Sequence, residues 1–403
     1  MPDTGFTNLF IVASVALLAP LAAGLLPRLR IPAVVLEILA GVALGPAVLG
    51  VVEADLPVEV LAVVGLAFLL FMVGLELDVT RLRGPVLRGA VAGYLLTLLL
   101  GTTVGVGAAA AGWVASPLLV AVALSATSLG LVVPVLQDAG RTDSALGRAT
   151  VAAATLADVV AVLLLTLLFS AAGGSVGARL ILLVSFGGVV VVVGTAVALT
   201  ERWRRLGELL TRLQDTTAEI RVRAAVLLLV AFVALAEQFG LETILGALLA
   251  GAVIGAVDRD DTGHPLLRTK LEAIGYGFVV PVFFVASGIR LDVAGLLADP
   301  AALARTPLFL LALLVVRGLP ALLLRHGLTG REVAAAGLLQ ATSLPFLVTA
   351  TMIGVEAGLM TAVTAAALVA AGVLSVLLFP AAALTLLAGA SPPARRITAV
   401  RAR

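Results

Sequence analysis

Apolar residues fill most of this chain in long runs, and short polar segments separate the runs. A helix that crosses the hydrocarbon layer of a bilayer needs about 20 consecutive, mostly apolar residues. Runs of roughly this length predict an all-α polytopic membrane protein with about 13 transmembrane helices. The predicted spans lie at 6–26, 31–50, 58–77, 86–111, 116–137, 147–170, 178–199, 222–238, 243–257, 271–289, 302–323, 332–354 and 359–388.

The composition supports a membrane protein and excludes several other classes. Of the 403 residues, 61% are hydrophobic and 12% are charged, whereas a typical soluble domain has about 25% charged residues. The chain contains no cysteine, which excludes disulfides, thiolate metal sites and cysteine nucleophiles. Because the loops are too short for a soluble catalytic domain, we expect neither an enzyme nor a nucleic-acid partner. We also expect no metal centre and no cofactor.

The distribution of basic residues predicts the orientation of the spans, because cytoplasmic loops collect Lys and Arg. When the 26 Lys and Arg residues are assigned to alternating sides, 22 fall on one side, three on the other and one inside a span. We therefore expect an outside N-terminus and a cytoplasmic C-terminus in the inner cell membrane. The longest loop, Glu201 to Arg223, is basic and predicts either a surface helix or a plain topological anchor. The short basic tail after Pro393 predicts no appended soluble domain.

A short internal repeat marks the fifth and twelfth spans. Residues 125–130 are SATSLG and residues 340–345 are QATSLP, so Ala-Thr-Ser-Leu lies near the middle of both spans. Under the predicted topology, the fifth span runs inward and the twelfth runs outward. Paired broken helices at membrane depth are typical of inverted-repeat transporters, where freed backbone groups are satisfied inside the protein. The repeat therefore predicts two inverted, broken helices that carry hydroxyl groups.

One carboxylate lies in the middle of a membrane span. Asp158 is near the centre of the apolar segment 147–169, and a helical rise of about 1.5 Å per residue places it near the middle of a hydrocarbon layer about 30 Å thick. Inserting Asp at that depth costs about 2.5 to 3.5 kcal/mol, so such residues are candidates for proton or ion handling. The alternative is a neutral Asp158 that only hydrogen-bonds to a neighbouring helix.

Arg317 is the basic residue that the hydropathy pattern places well inside a span. Since opposite charges relieve each other's desolvation penalty, we predict that Arg317 is the ion-pair partner of Asp158. The alternative is that its side chain extends to the inner membrane interface. Glu37 is deep enough for a secondary site or for a hydrogen bond between helices. Glu237, near an outer end, is expected to face an entrance or solvent, and Gln340 is a further secondary candidate.

Several further segments add to this pattern over most of the chain. They are LEILAGVALGPAVLG (36–50), FLLFMVGLELD (68–78), ALSATSLGLVVPVLQDAG (123–140), LGALLAGAVIG (245–255) and PVFFVASGIRLD (281–292). Together with the Asp158 helix and Arg317, these segments resemble the monovalent cation:proton antiporter family 2. That family contains the Kef-type potassium efflux proteins and the Nap-type sodium/proton antiporters.

The resemblance implies a fold, an assembly and a site. It implies the sodium/proton antiporter fold, in which two broken helices cross beside the ion site, and a homodimer in the lipid bilayer. Asp158 falls on the position of the family's ion-binding aspartate, and Arg317 on that of the basic residue that contacts it. The resemblance implies a mobile core bundle at about 86–170 and 302–388, a dimerisation panel at about 6–77 and 222–289, and a linker helix at 178–199.

The expected function is exchange of a monovalent cation, Na+ or K+, for H+ by alternating access. A proton or a dehydrated cation would bind Asp158 in turn. Ala157 precedes Asp158 where related exchangers commonly have Asp, Asn or Gln, so the site has one carboxylate. Because one carboxylate carries the same charge with a proton or a monovalent cation bound, we predict electroneutral one-for-one exchange. Symport of an organic anion held by Arg317 and a membrane sensor or scaffold without transport are the alternatives. Oxygen atoms that could complete a cation shell belong to Thr127, Ser128, Thr342 and Ser343.

Overall fold

A computed structural model describes residues 6–25, 32–77, 84–169, 176–202, 219–260, 265–325 and 327–388. Most of the predicted surface segment between Glu201 and Arg223 lies outside these residues, as does the basic tail from residue 389 onward. The helices in the first half are α1 (Thr7–Leu25), α2 (Ala33–Leu44), α3 (Leu56–Glu76), α4 (Gly84–Ala110), α5 (Pro117–Ser125), α6 (Leu129–Asp138), α7 (Ala145–Phe169) and α8 (Val176–Arg202).

The second half of the described chain is also helical, which confirms the prediction of an all-α fold. Nine helical stretches of the described residues are long and apolar enough to cross a membrane, and three shorter apolar helices accompany them. The predicted number of thirteen spans stays a prediction. The helices are α9 (Ile220–Gln238), α10 (Thr243–Asp260), α11 (Pro265–Ile274), α12 (Val280–Ile289), α13 (Val293–Ala298), α14 (Pro300–Leu313), α15 (Gly330–Gln340), α16 (Pro345–Glu356) and α17 (Ala362–Ala388).

The two spans that carry the internal repeat are broken, as predicted. Residues 126–128 separate α5 from α6, and residues 341–344 separate α15 from α16. The two breaks touch each other, because the backbone N–H of Ser128 donates to the carbonyl oxygen of Thr342 at 2.9 Å. This contact satisfies backbone groups that the interrupted helices leave free, which is the condition for non-helical backbone at membrane depth.

Two other spans contain wide π-helical turns that the hydropathy pattern does not predict. One turn, Gly275–Val279, lies between α11 and α12, and the other, Leu314–Gly318, follows α14 and leads into a 3-10 helix at Leu319–Arg325. Pro281 and Pro320 each follow two residues after such a turn. A proline ring clashes with the carbonyl oxygen four residues earlier, and a wider turn relieves that clash. The second turn carries Arg317.

The helices pack in two groups, with α8 in contact with both. One group contains α1 to α3 and α9 to α12, and the other contains α4 to α7 and α13 to α17. Glycines bring helices of the first group close together: a Cβ added at Gly74 or Gly251 would overlap the backbone of the facing helix, α10 or α3. Gly41 and Gly288 have the same role between α2 and α12. Such small-residue contacts are typical of helix packing in membranes.

Candidate functional site

Asp158 lies on α7 and faces the break between α5 and α6. Its side chain is buried, and the residue is 8% exposed. The backbone N–H of Thr127 donates to Oδ1 at 3.3 Å, and that of Leu129 donates to Oδ2 at 3.4 Å. Thr127 lies in the break, and Leu129 is the first residue of α6, where free N–H groups and the helix dipole favour a negative charge. The carboxylate is therefore oriented by the backbone of a broken helix.

Arg317 does not form the predicted ion pair with Asp158. Its side chain is 1% exposed, so it does not extend to the membrane interface either. Nε and Nη2 donate to the hydroxyl of Thr127 at 2.9 and 2.5 Å, and Nη1 donates to the hydroxyl of Thr97 at 3.3 Å. The structure places Thr127 between the two charges, with its hydroxyl on Arg317 and its backbone N–H on Asp158. The prediction of direct contact was wrong because the break occupies the space between α7 and the π turn.

The hydroxyls of the two repeat threonines bond to backbone carbonyls of the protein, although Thr127 also lines the cavity beside Asp158. The Thr127 hydroxyl accepts from Arg317 and donates to the carbonyl oxygen of Gln340 at 2.7 Å, across to the second break. One donor and two acceptor sites are the full capacity of a hydroxyl. The Thr342 hydroxyl donates to the carbonyl oxygen of Leu338 at 3.1 Å. We therefore assign Thr127 a positioning role, although the sequence analysis considered its hydroxyl as a ligand.

A cavity of about 420 Å³ opens beside Asp158, between the two helix groups. Ser128 and Ser343, one from each break, also line it. The Ser343 hydroxyl is buried and has no hydrogen-bond partner in the described part of the chain, although buried polar groups are normally paired. The cavity thus combines one carboxylate with uncommitted oxygen. The rest of its wall is mostly apolar and includes Leu69, Leu70, Val73, Val162, Phe284 and Phe346.

Ser375 on α17 holds the second break, and the sequence analysis missed it. The backbone N–H of Ser343 donates to its hydroxyl at 3.2 Å, and this hydroxyl lies 3.1 Å from the Ser343 carbonyl oxygen. In the repeat Ser343 corresponds to Ser128, and Asp158 follows Ser128 by 30 residues (158 − 128), whereas Ser375 follows Ser343 by 32. Ser375 is therefore not the counterpart of Asp158 in the repeat, and the repeat gave no signal for it.

Two polar residues of α4 were also missed. Thr97 accepts from Arg317, and Tyr94, one turn earlier, places its hydroxyl 3.0 Å from that of Ser125. Since the Ser125 hydroxyl donates to the carbonyl oxygen of Val122, Tyr94 is the donor to Ser125. Isolated polar residues in an apolar helix carry no signal of their partners, so the sequence offered no way to place them here.

The secondary candidates lie outside the cavity wall. Glu37 is buried in α2 but does not line the cavity and forms no hydrogen bond within the described residues. Glu237 is exposed near the end of α9. Gln340 is buried beside Arg317 and Tyr94, and its side-chain Nε2 has no hydrogen-bond partner within the residues that the structure describes. Its contribution to the site is the backbone carbonyl that accepts from Thr127.

Comparison with known proteins supplies independent information. A family profile described as "Sodium/hydrogen exchanger, transmembrane" matches residues 13–387. YjbQ of Bacillus subtilis is 30% identical over 401 residues, which cover 94% of this chain and 63% of YjbQ. The Na(+)/H(+)-K(+) antiporter GerN of Bacillus cereus is 28% identical over 72% of this chain and 73% of GerN. The sodium proton antiporter MjNhaP1 from Methanocaldococcus jannaschii shares the fold, with a TM-score of 0.68, 19% identity and coverage of 95% of this chain and 98% of MjNhaP1.

Proposed function

Because this chain belongs to the sodium/hydrogen exchanger family, we propose that it exchanges a monovalent cation, Na+ or K+, for H+ across the membrane by alternating access. The predicted resemblance to cation:proton antiporters is confirmed at the level of this family, whose members are secondary transporters and not enzymes. The names of its relatives support both ions, since GerN is a Na(+)/H(+)-K(+) antiporter. The chain spans about two thirds of the length of YjbQ or GerN.

The observation that carries this proposal is the buried Asp158 carboxylate in a cavity that Ser343, whose buried hydroxyl is unpaired among the described residues, also lines. A buried carboxylate is disfavoured in its charged form unless a proton or a cation compensates it. Ser128, Ser343 and backbone carbonyls of the breaks would supply the neutral oxygens that a monovalent cation needs after losing water. Proton and cation would therefore compete for one carboxylate.

The contacts of Arg317 support cation exchange over anion symport. Its Nε, Nη1 and Nη2 atoms all donate to threonine hydroxyls, and it does not line the large cavity. An organic anion in that cavity would meet Asp158 instead, and like charges repel. In our proposal Arg317 stays in place, holds Thr127 and limits the cost of an empty, negative site through its field.

The proposed motion and assembly follow the helix groups. We propose that the group with α4 to α7 and α13 to α17 is the mobile core, that the group with α1 to α3 and α9 to α12 is the dimerisation panel, and that α8 links them. The cavity between the groups would then open to one side of the membrane at a time. The homodimer, the outside N-terminus and the location in the inner cell membrane remain part of this proposal.

The Ser343→Ala variant tests whether Ser343 is a cation ligand. Loss of one oxygen ligand should raise the apparent KM for the cation by about five- to tenfold. The melting temperature should not fall, because the substitution removes a buried hydroxyl without a partner. The assay is cation-driven recovery of a pH gradient in proteoliposomes, with Na+, K+ and Li+ varied in turn. The Thr166→Val control removes another unpaired buried hydroxyl, on α7 away from the cavity, and an equal KM shift in both variants would contradict the assignment.

Electroneutral exchange is the second testable consequence. Ala157 is buried beside Asp158, so the preceding position adds no second ionisable group. Whether the carboxylate binds H+ or a monovalent cation, the loaded site has the same charge. We expect that a cation gradient generates no current across a solid-supported membrane loaded with the protein, while pH-gradient recovery proceeds. A cation-dependent current that disappears in the Asp158→Asn variant would show that the stoichiometry differs from one-for-one.

A further inference from the structure

A groove of about 310 Å³ runs between α4 and α14 on the outer surface of the second helix group. It is lined by apolar groups, among them Gly107 and Trp113 on one side and Leu308, Leu311 and Val315 on the other. Leu308 and Leu311 are 50% and 56% exposed, although they lie in a stretch that is apolar and long enough to span a membrane. The groove therefore faces the lipid, away from the cavity beside Asp158.

A guanidinium without a carboxylate partner lies at one end of this groove. Arg305 is one turn before Leu308 on α14, and its guanidinium carbon lies 5.4 Å from the centroid of the Trp113 ring, which lines the groove. Nη1 donates to the hydroxyl of Thr364 at 2.9 Å, and Nε is buried without a hydrogen-bond partner among the described residues. Within the described residues Arg305 forms no ion pair, whereas Arg290 pairs with a glutamate at 3.1 Å.

We propose that this groove binds a phospholipid with an anionic headgroup. The acyl chain would lie along Leu308 and Leu311, and the phosphate would accept from Nη1 and Nη2 of Arg305, since Nε is buried. The planar guanidinium donates to phosphate through two parallel hydrogen bonds. Trp113 fixes the guanidinium by cation-π stacking and is a residue type enriched at the level of lipid headgroups. A positive charge beside an apolar groove is the chemistry that such a lipid requires.

The end of the groove away from Arg305 lies against the π turn that carries Arg317. Val315 lies in the π turn that carries Arg317, two residues before it. An acyl chain in the groove packs against this turn from the lipid side, while Thr97 and Thr127 contact Arg317 from the protein side. Bound lipid therefore supports the turn that positions Arg317, and its removal loosens that turn.

Native mass spectrometry of the purified full-length protein tests the site, with phosphatidylglycerol and phosphatidylcholine as probes. The wild-type protein should retain phosphatidylglycerol in preference to phosphatidylcholine after delipidation. Arg305→Gln should weaken phosphatidylglycerol retention by about five- to tenfold and abolish the preference, since one basic side chain near a headgroup contributes about this factor. Gly107→Leu should reduce retention of both lipids, because a Cβ added there has no described protein atom within 4 Å and the leucine side chain would occupy the groove.

Two matched variants serve as controls. Arg290→Gln removes one positive charge elsewhere, and Gly188→Leu adds the same side chain at a glycine of α8 that is also open. Both should retain lipid as the wild type does. Phosphatidylglycerol retention that is unchanged in Arg305→Gln, or that falls equally in Arg290→Gln, would overturn the proposal. Because the readout is bound lipid, this result is independent of whether the protein exchanges cations for protons.

Discussion

Replacing Asp158 by Asn is expected to abolish cation-driven recovery of a pH gradient for Na+, K+ and Li+ alike. Asn has the shape of Asp but neither releases a proton nor carries the negative charge that holds a dehydrated cation. We expect a rate at least about hundredfold lower, equivalent to about 2.7 kcal/mol in the barrier. The fold should persist, because the amide still accepts one backbone N–H and no charge is buried, so the loss is about one hydrogen bond, or about 1 kcal/mol.

The matched control for this variant is Glu237→Gln. It makes the same chemical change at an exposed carboxylate near the end of α9, and we expect exchange at the wild-type rate. Both proteins should be reconstituted at equal density and shown to be folded by their melting curves. Wild-type exchange in Asp158→Asn would refute a site at this carboxylate and the competition mechanism with it. Equal loss in both variants would indicate a general charge effect.

Replacing Arg317 by Gln is expected to have the second largest effect. The three nitrogen atoms of the guanidinium all donate to the hydroxyls of two threonines, and the side chain is almost fully buried. Its loss leaves the hydroxyls of Thr97 and Thr127 without their donor. It also removes the positive charge that compensates the negative charge of Asp158. Hydrogen bonds to charged groups contribute about 1.5 to 3 kcal/mol each and do not add fully, so we expect a loss of about 3 kcal/mol in unfolding free energy. Exchange should fall by at least about tenfold.

Two further variants separate charge from geometry at this position. Arg317→Lys keeps the positive charge but lacks the planar group that reaches both threonines, so its stability and exchange rate should be intermediate. Thr97→Val removes only the hydroxyl that accepts from Nη1 of Arg317 at 3.3 Å. The unfolding free energy should fall by about 0.5 to 1 kcal/mol. Unfolding in detergent and pH-gradient recovery are the measurements. If Arg317→Gln unfolds and transports as the wild type does, the arginine is not part of the machinery.

The overall architecture was predictable because its signals are local in the chain. Hydropathy marks each apolar run, and a broken helix requires helix-breaking residues near mid-span, such as Gly130 and Pro345. The two breaks at residues 126–128 and 341–344 lie where the repeat placed them. A carboxylate in the middle of an apolar run is equally visible, so Asp158 could be selected without any structure. The family match over residues 13–387 agrees with these predictions.

The contacts of the breaks were not predictable, because they depend on how each helix is rotated and on what faces it. From the sequence alone, the four hydroxyls of the repeat were equivalent candidates for cation ligands: Thr127, Ser128, Thr342 and Ser343. In the fold the two serines line the cavity, whereas the Thr127 hydroxyl is committed to Arg317 and the second break. Ser375 holds that break from a helix more than thirty residues away.

By itself, the sequence determined the helical membrane fold, the two interrupted spans and the place of Asp158 in the middle of an apolar run, since hydropathy and helix-breaking residues act over a few neighbouring positions. Only the tertiary structure decided that Thr127 separates Arg317 from Asp158 and that Ser343, whose hydroxyl is unpaired among the described residues, lines the same cavity as the carboxylate. The physical reason is that a side chain in a bundle bonds to whichever group the packing brings within about 3 Å. That partner comes from other helices, at sequence separations of up to 220 residues in this site.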